Sequence, residues 1–180
     1  MFGYKGYKKS GFTLAEVLIT LGIIGTVAAM TIPTLMMNYH KRIWESKLKK
    51  IYSIATNACE RMLIEENVSR VNETTVYGEV TNDNLRAYFK LMKDGEQVTG
   101  KGFSILLPDG GVLYLNATDN GFTFYTDVNG TDTRPNTAGR DEFEFRLDQN
   151  CAYDSNIGEG ASDAATAFKD VVENNWEIHN

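Results

Sequence analysis

The chain has 180 residues, of which 42% are hydrophobic, a size and composition that suit one globular domain plus a separate N-terminal segment. Its formal net charge of −6 argues against nucleic acid as a partner of the globular part. With two cysteines, no CxxC pair and two histidines, the sequence predicts neither a local zinc site nor a thiol-redox motif.

The N-terminus divides into a basic leader, residues 1–11, and an apolar stretch, residues 12–37. The leader carries three lysines, whereas the apolar stretch contains a single charged side chain, that of Glu16. As a helix, this stretch covers about 39 Å, enough for the roughly 30 Å hydrocarbon core of a bilayer. A cleaved secretory signal has a shorter apolar region that ends in a small-residue cleavage site. We therefore expect the apolar helix to stay attached after processing.

The junction of leader and apolar stretch reads KSGFTLAEVLI from Lys9 to Ile19. It joins a basic leader, a glycine before a phenylalanine, a glutamate at the fifth position of the product and an apolar helix. This combination resembles the cleavage and methylation motif of type IV prepilins and type II secretion pseudopilins. The resemblance implies that a membrane aspartic peptidase, the prepilin peptidase, cuts between Gly11 and Phe12 and then N-methylates Phe12. The chain would be the substrate of that enzyme.

Glu16 places a carboxylate in an apolar helix, where a charge is costly unless another group compensates it. The resemblance implies that the compensating group is the new N-terminal amine, usually that of a neighbouring subunit, so that Glu16 sets the register of assembly. The alternative is that Glu16 lies near the start of the helix and reaches the cytoplasmic headgroups.

Basic residues flank the apolar stretch on both sides. The positive-inside rule therefore does not predict which end of the helix lies in the cytoplasm. The second cluster comprises Lys41, Arg42, Lys47, Lys49 and Lys50. The resemblance orients the chain instead, with the leader in the cytoplasm and the remainder outside. We expect the second cluster to meet lipid headgroups or acidic faces of neighbouring subunits.

Residues 38–67 continue the helix beyond the apolar stretch. Apolar residues recur at intervals of three and four from Trp44 to Met62, with charged residues between them, which predicts an amphipathic helix. One helix is thus predicted from near Thr13 to about Asn67, roughly 80 Å long. We expect its second half to cover a sheet formed by the residues that follow.

Residues 68–180 are predicted to form an α+β head. Asp-Gly-Gly and Asp-Asn-Gly turns favour an antiparallel meander, and helices are predicted at 82–92 and 164–176. The predicted strands are 103–107, 112–115, 122–126 and 143–147. A long helix packed on an antiparallel sheet is also the pilin-like fold that the resemblance implies.

The segment 127–141, between the last two predicted strands, is rich in oxygen-bearing side chains. Calcium takes roughly six to eight oxygen ligands, and Asp127, Asn129, Asp132 and Asp141 can supply several of them. The segment resembles the acidic loop before the last strand of pseudopilins, in which calcium holds the loop, but it lacks the terminal glutamate of an EF-hand. The alternative is a long turn whose Asp side chains bond to the backbone.

Cys59 falls on the predicted long helix, and Cys151 follows the last predicted strand. A location outside the cytoplasm permits a disulfide between them. The alternative is two buried thiols.

The pattern as a whole predicts a structural subunit of a type IV pilus or a type II secretion pseudopilus. The resemblance implies four partners: prepilin peptidase, homologous subunits, an inner-membrane assembly platform and the bilayer. It also implies a bacterial cytoplasmic membrane location, with a single pass and the head outside, before assembly into a periplasmic pseudopilus or a surface pilus. No cofactor is required, apart from the calcium considered above.

Two other functions stay open. One is a signal-anchored surface module that binds its ligand in the presence of calcium. The other is a membrane-tethered enzyme, for which the sequence suggests no Ser-His-Asp or Cys-His set, although chemistry by carboxylates alone is compatible with it.

Overall fold

The computed structural model describes residues 11–91, 93–156 and 160–178. The chain divides into two units, the first ending at His40 and the second beginning at Lys41. Helix α1, Leu14–Glu65, has 52 residues and runs through the boundary. Its ends lie within two residues of those predicted, so the long N-terminal helix is confirmed.

The first unit, in its described residues 11–40, consists of the apolar part of α1. This helix is long and apolar enough, by length and composition, to cross a membrane. The hydroxyls of Thr20, Thr26 and Thr31 donate hydrogen bonds of 2.9–3.0 Å to main-chain carbonyls of the preceding turn. These polar groups are therefore satisfied within the helix, as an apolar surrounding requires.

The second unit contains a five-stranded antiparallel sheet whose strands follow in chain order. The strands are β1 Gln97–Val98, β2 Gly102–Leu106, β3 Val112–Thr118, β4 Gly121–Asp127 and β5 Glu142–Leu147. The predicted meander is confirmed. Strand β1 was not predicted, because its two residues carry no periodic pattern.

Alternation along the strands gives the sheet one apolar face. Phe124 pairs with Phe145 across β4 and β5, and their rings stack at 5.1 Å. The ring of Tyr52, from α1, lies 5.4 Å from that of Phe145, so α1 covers this face. The buried residues of α1 are Leu48, Ile51, Ala55, Ala58, Cys59 and Met62. They recur at three and four residues and form the stripe that faces the sheet.

A C-terminal helix, α4 Asp163–Glu173, packs on the same face beside α1. Its Phe168 is fully buried and stacks on Phe145 at 5.0 Å. The helix ends three residues before Trp176, the predicted end, because Asn174 caps it and Trp176 takes a positive φ of 69°. The α+β, pilin-like layout of long helix and antiparallel sheet is thus present.

The segment between α1 and β1 forms a 3₁₀ turn, Val71–Glu73, and two short helices, α2 Thr75–Gly78 and α3 Asn82–Arg86. The helix predicted over 82–92 is therefore too long, and Met92 lies outside the described residues. The helix closes at Leu85, whose carbonyl oxygen accepts from the N–H groups of Tyr88 (3.0 Å) and Phe89 (2.7 Å). The guanidinium of Arg61 then donates to the carbonyl oxygens of Ala87 (3.0 Å) and Tyr88 (3.5 Å). Those carbonyls are the ones that a further helical turn would use.

Candidate functional site

The predicted cleavage site lies at the start of α1, where Gly11 and Phe12 are exposed and precede the helix. Residues 1–10, which hold most of the predicted leader, lie outside the described residues. The side chain of Phe12 is 89% exposed. Both residues of the predicted cleavage bond are therefore exposed in the described part of the chain.

Glu16 and Thr13 form a reciprocal capping pair at this helix start. Oε2 of Glu16 accepts hydrogen bonds of 2.8 Å from both the backbone N–H and the hydroxyl of Thr13. In return, the hydroxyl oxygen of Thr13 accepts from the Glu16 N–H at 3.3 Å. Such a pair satisfies two donors that a helix start leaves open. The carboxylate of Glu16 is thus held by its own chain.

Sequence reasoning missed this capping pair, although its signal was present. Thr13-Leu-Ala-Glu16 is the pattern S/T-x-x-E that marks a capping box before an apolar run. The pair matters for the candidate site, because it already engages one of the two carboxylate oxygens, Oε2, that a partner of Glu16 would use.

The segment between β4 and β5 begins and ends on buried aspartates. Asp127 and Asp141 are both fully buried. Oδ1 of Asp127 accepts from the N–H groups of Asn129 (3.2 Å) and Gly130 (3.0 Å). The two oxygens of Asp141 accept from the N–H groups of Asn136 (2.8 Å) and Thr137 (2.7 Å). Three of these four carboxylate oxygens therefore bond to the backbone, as the turn interpretation expects.

Two oxygens of this segment are buried and have no hydrogen-bond partner among the described residues. They are Oδ2 of Asp127 and Oδ1 of Asn129. Asp132, the third predicted ligand, is instead exposed and lines a groove with Asp94 and Glu96. In the described part of the chain, no three His, Cys, Asp or Glu side chains form a group that could hold a metal.

Burial raises the pKa of Asp127 above its usual value, and the negative charges of Asp141 and Glu142 act in the same direction. The hydrogen bonds from the N–H groups of Asn129 and Gly130 oppose this rise without cancelling it. A raised pKa means that the charged form lacks compensation, which a bound cation would supply.

The two cysteines lie together: Cys59 of α1 and Cys151, after β5, form a disulfide with their Cα atoms 5.8 Å apart. Both residues are buried, and the bond joins positions 92 residues apart in the chain. Cys151 has a positive φ of 63°, in a turn where its N–H donates to the carbonyl of Asp148. The disulfide thus ties the long helix to the end of the sheet.

Comparison with known proteins agrees with the N-terminal geometry. Residues 6–32 match the family model described as the prokaryotic N-terminal methylation motif. The chain is also similar to the type II secretion system core protein G of Pectobacterium carotovorum subsp. carotovorum, with 34% identity over 53 residues. That match covers 29% of this chain and 34% of the relative, so the chain spans about a third of the relative's length. No solved structure matches the chain.

The matched motif contains the candidate cleavage bond, the capping pair and residues 12–32 of the apolar stretch. The described head adds a helix on an antiparallel sheet. The chain therefore carries the N-terminal methylation motif of type IV prepilins and type II secretion pseudopilins, on a pilin-like α+β layout.

Proposed function

We propose that this chain is a filament subunit of the type IV pilin and type II secretion pseudopilin kind. It is stored in the bacterial cytoplasmic membrane and then assembled, on an inner-membrane platform, into a periplasmic or surface filament. Both similarities point to structural subunits rather than to enzymes. The observation that carries the proposal is the methylation motif, which lies largely on an apolar helix with exposed large side chains.

Within this proposal, prepilin peptidase cuts the bond between Gly11 and Phe12 and methylates the new amine of Phe12. Before the cut, the nitrogen of Phe12 is an uncharged amide and Glu16 bonds to Thr13. After the cut, a positive amine is created one residue before Thr13. Glu16 then exchanges its neutral partner for the charged amine of a neighbouring subunit, a stronger charge-assisted bond. Cleavage thereby permits assembly.

Processing is tested by intact-mass analysis of the protein from membranes of cells that contain prepilin peptidase. We expect the loss of residues 1–11 and the gain of one methyl group on Phe12. A mature chain of full length, or one cut elsewhere, would remove the basis of the proposal.

The role of Glu16 is tested by separating its charge from its capping bond. Glu16→Gln keeps a side-chain oxygen that caps Thr13 but removes the charge, whereas Glu16→Ala removes both. We expect both variants to be inserted and cut, and neither to form filaments of normal number and register. Thr13→Val, which removes only the hydroxyl, is the matched control and should still assemble. Normal filaments from Glu16→Gln would show that capping, not charge, is the function of Glu16.

We propose, as a second property, that the segment 127–141 binds calcium. The two buried oxygens without partners, on Asp127 and Asn129, are hard donors of the kind that calcium takes. Asp141 adds a negative charge close enough to raise the pKa of Asp127. Calcium would supply the positive charge that this pair of carboxylates lacks, with loop carbonyls as further ligands.

Calcium binding is tested by thermal unfolding of the full chain in detergent, with calcium and with chelator. We expect calcium to raise the unfolding temperature of the parent chain and to leave that of Asp127→Asn unchanged. Asp132→Asn is the matched control, because it makes the same change at an exposed position of the same segment. If calcium changes the unfolding temperature of none of the three proteins, the segment is a turn only. If Asp132→Asn also loses the shift, Asp132 is a ligand after all.

A further inference from the structure

The second unit begins with a basic surface that we call the basic collar: Lys41, Arg42, Lys49, Lys50 and Arg140. The first four come from the start of α1 in this unit, and the fold adds Arg140 from the segment before β5. The carbon at the centre of the Arg140 guanidinium lies 6.0 Å from the ring of Trp44. The collar begins four residues after the apolar stretch ends at Met37.

Lys47 belongs to the same sequence cluster but has a structural role. Its ammonium donates to the carbonyl oxygens of Val128 (3.1 Å) and Asp109 (3.3 Å), which holds two loops against α1. Lys47 is therefore excluded from the collar, a distinction that the sequence does not make.

The collar residues keep much of their charge available. Arg42 and Lys49 are exposed, and 56% of the Lys50 side chain is exposed although it pairs with Asp109. Lys41 lies 3.9 Å from Glu45, at the limit of an ion pair. Two collar cations thus lie near a carboxylate, while Arg42 and Lys49 present exposed positive charge in a chain whose net charge is −6.

Both tryptophans of the chain lie in the collar. Trp44 lies beneath Arg140, and Lys49 Nζ lies 5.7 Å from the ring centroid of Trp176. Each of the two is half-buried. An aromatic ring with a polar N–H beside cations, next to an apolar helix, is typical of a side chain at the headgroup level of a membrane.

A groove on the exposed face of the sheet is mainly acidic. It has a volume of about 340 Å³ and is lined by Asp94, Glu96 and Asp132, with Lys93 as the one cation on its wall in the described chain. An anionic surface would repel this groove and attract the collar. The groove and the collar therefore differ in the sign of the charge that they accept.

We propose that the basic collar binds the headgroups of anionic phospholipids while the subunit is stored in the membrane. This inference rests on the membrane storage proposed above and adds the lipid class and the residues that recognise it. The collar begins four residues after the apolar stretch in the sequence. Near the surface of a bilayer, each Lys or Arg attracts anionic lipid by about fivefold, from roughly 1 kcal/mol per residue. An acidic protein partner would not explain tryptophans beside the cations.

The test uses the full uncut chain reconstituted in phosphatidylcholine vesicles. A low, fixed fraction of the lipid is brominated, either as phosphatidylglycerol or as phosphatidylcholine, and quenching of tryptophan emission is measured. Because both tryptophans lie in the collar, quenching reports the lipids around it. We expect the brominated phosphatidylglycerol to be enriched around the tryptophans by about fivefold or more over the brominated phosphatidylcholine. A single collar charge near the lipid surface is enough for an enrichment of about fivefold.

The variant Arg42→Gln/Lys49→Gln should lower this ratio by up to about fivefold for each charge removed. The matched control is Arg70→Gln/Lys90→Gln, which removes one Arg and one Lys from exposed positions outside the collar. It should keep the parent ratio. The ratio of the two lipids within each variant also cancels any direct effect of Lys49 on Trp176 emission.

Equal quenching by the two lipids in the parent would overturn the inference and leave membrane storage intact. Quenching by neither lipid would overturn membrane storage as well. An equal fall of the ratio in both variants would assign the effect to total charge instead of the collar. If the collar variant loses filaments but keeps the lipid ratio, the occupant is the acidic groove of a second copy.

Discussion

The two halves of α1 contain the same kinds of apolar side chain, but these side chains are exposed in the first half and mostly buried in the second. In the first unit, Ile24 and Met30 are 64% and 79% exposed, whereas in the second unit Leu48 and Ile51 are fully buried. A single helix thus passes from a segment without an internal core to one that covers a sheet. The difference teaches that hydrophobicity alone does not assign a core, since the first segment needs an apolar partner from outside the chain.

The largest effect is expected from the core of the head. Phe145 is 1% exposed and stacks on Phe124 and Phe168, so Phe145→Ala should lower the free energy of unfolding of the head by about 3–5 kcal/mol. Phe12→Ala is the matched control, because Phe12 is 89% exposed in the first unit. Denaturant titration in detergent, followed by near-UV circular dichroism, measures both. Equal losses would mean that Phe12 also packs within the chain.

The second-largest effect is expected from a charge introduced into the first unit. Ile24→Lys places an ammonium in the apolar stretch and should cost about 3 kcal/mol of apparent insertion free energy. Ile64→Lys makes the same change in the same helix at a position that is 77% exposed in the second unit, and should insert normally. The fraction of chain inserted into membranes measures the difference. Normal insertion of both variants would contradict a membrane role for the first unit.

The disulfide should contribute somewhat less to the head. Replacing Cys59 and Cys151 by Ser should lower the free energy of unfolding by about 2–4 kcal/mol, because the closed loop spans 92 residues. The parent chain under reducing conditions is the control and should match the variant. Free thiols in the exported parent protein, detected by mass spectrometry, would contradict the pairing.

The smallest effect concerns Lys50 and Asp109 at the start of the head. Burial alone would raise the pKa of Asp109, but hydrogen bonds from Lys50 and the Gly111 N–H, with the charges of Lys50 and Lys47, hold it below its usual value. A carboxylate with a lowered pKa stabilises the fold at neutral pH, and this contribution is lost as pH falls below about 4.

The Lys50→Gln variant should therefore lose less stability on acidification than the parent. Since Lys50 is 56% exposed, the difference should be under about 1 kcal/mol. Unfolding free energies at neutral and acid pH measure it. A steeper acid loss in the variant would contradict the assignment.

Much of the architecture could be predicted from the sequence. The apolar run and the stripe after it predicted α1 to within two residues, and turn residues between aromatic runs predicted four of the five strands. Local patterns suffice there because the periodicities of helices and strands are visible among residues that are close together in the sequence. The helix at residue 82 was predicted too long because its apolar pattern continues past its end, where Arg61, distant in sequence, donates to the carbonyls of Ala87 and Tyr88.

The candidate sites divide in the same way. Gly11, Phe12 and Glu16 form a contiguous motif, so the sequence was enough to single them out. The segment 127–141 shows the limit of prediction from sequence, since its composition indicated four equivalent oxygen donors. The fold buries Asp127 and Asp141 and exposes Asp132. Burial depends on which strands flank the loop, and composition does not record that.

The sequence by itself determined the apolar stretch, the methylation motif and the helix-on-sheet class, because each depends on short-range order along the chain. Only the tertiary structure decided which lysine of 41–50 holds the loops and which face outward, and it alone brought Arg140 to Trp44. Those outcomes depend on contacts between residues that are some 60 to 100 positions apart, and chain folding sets them.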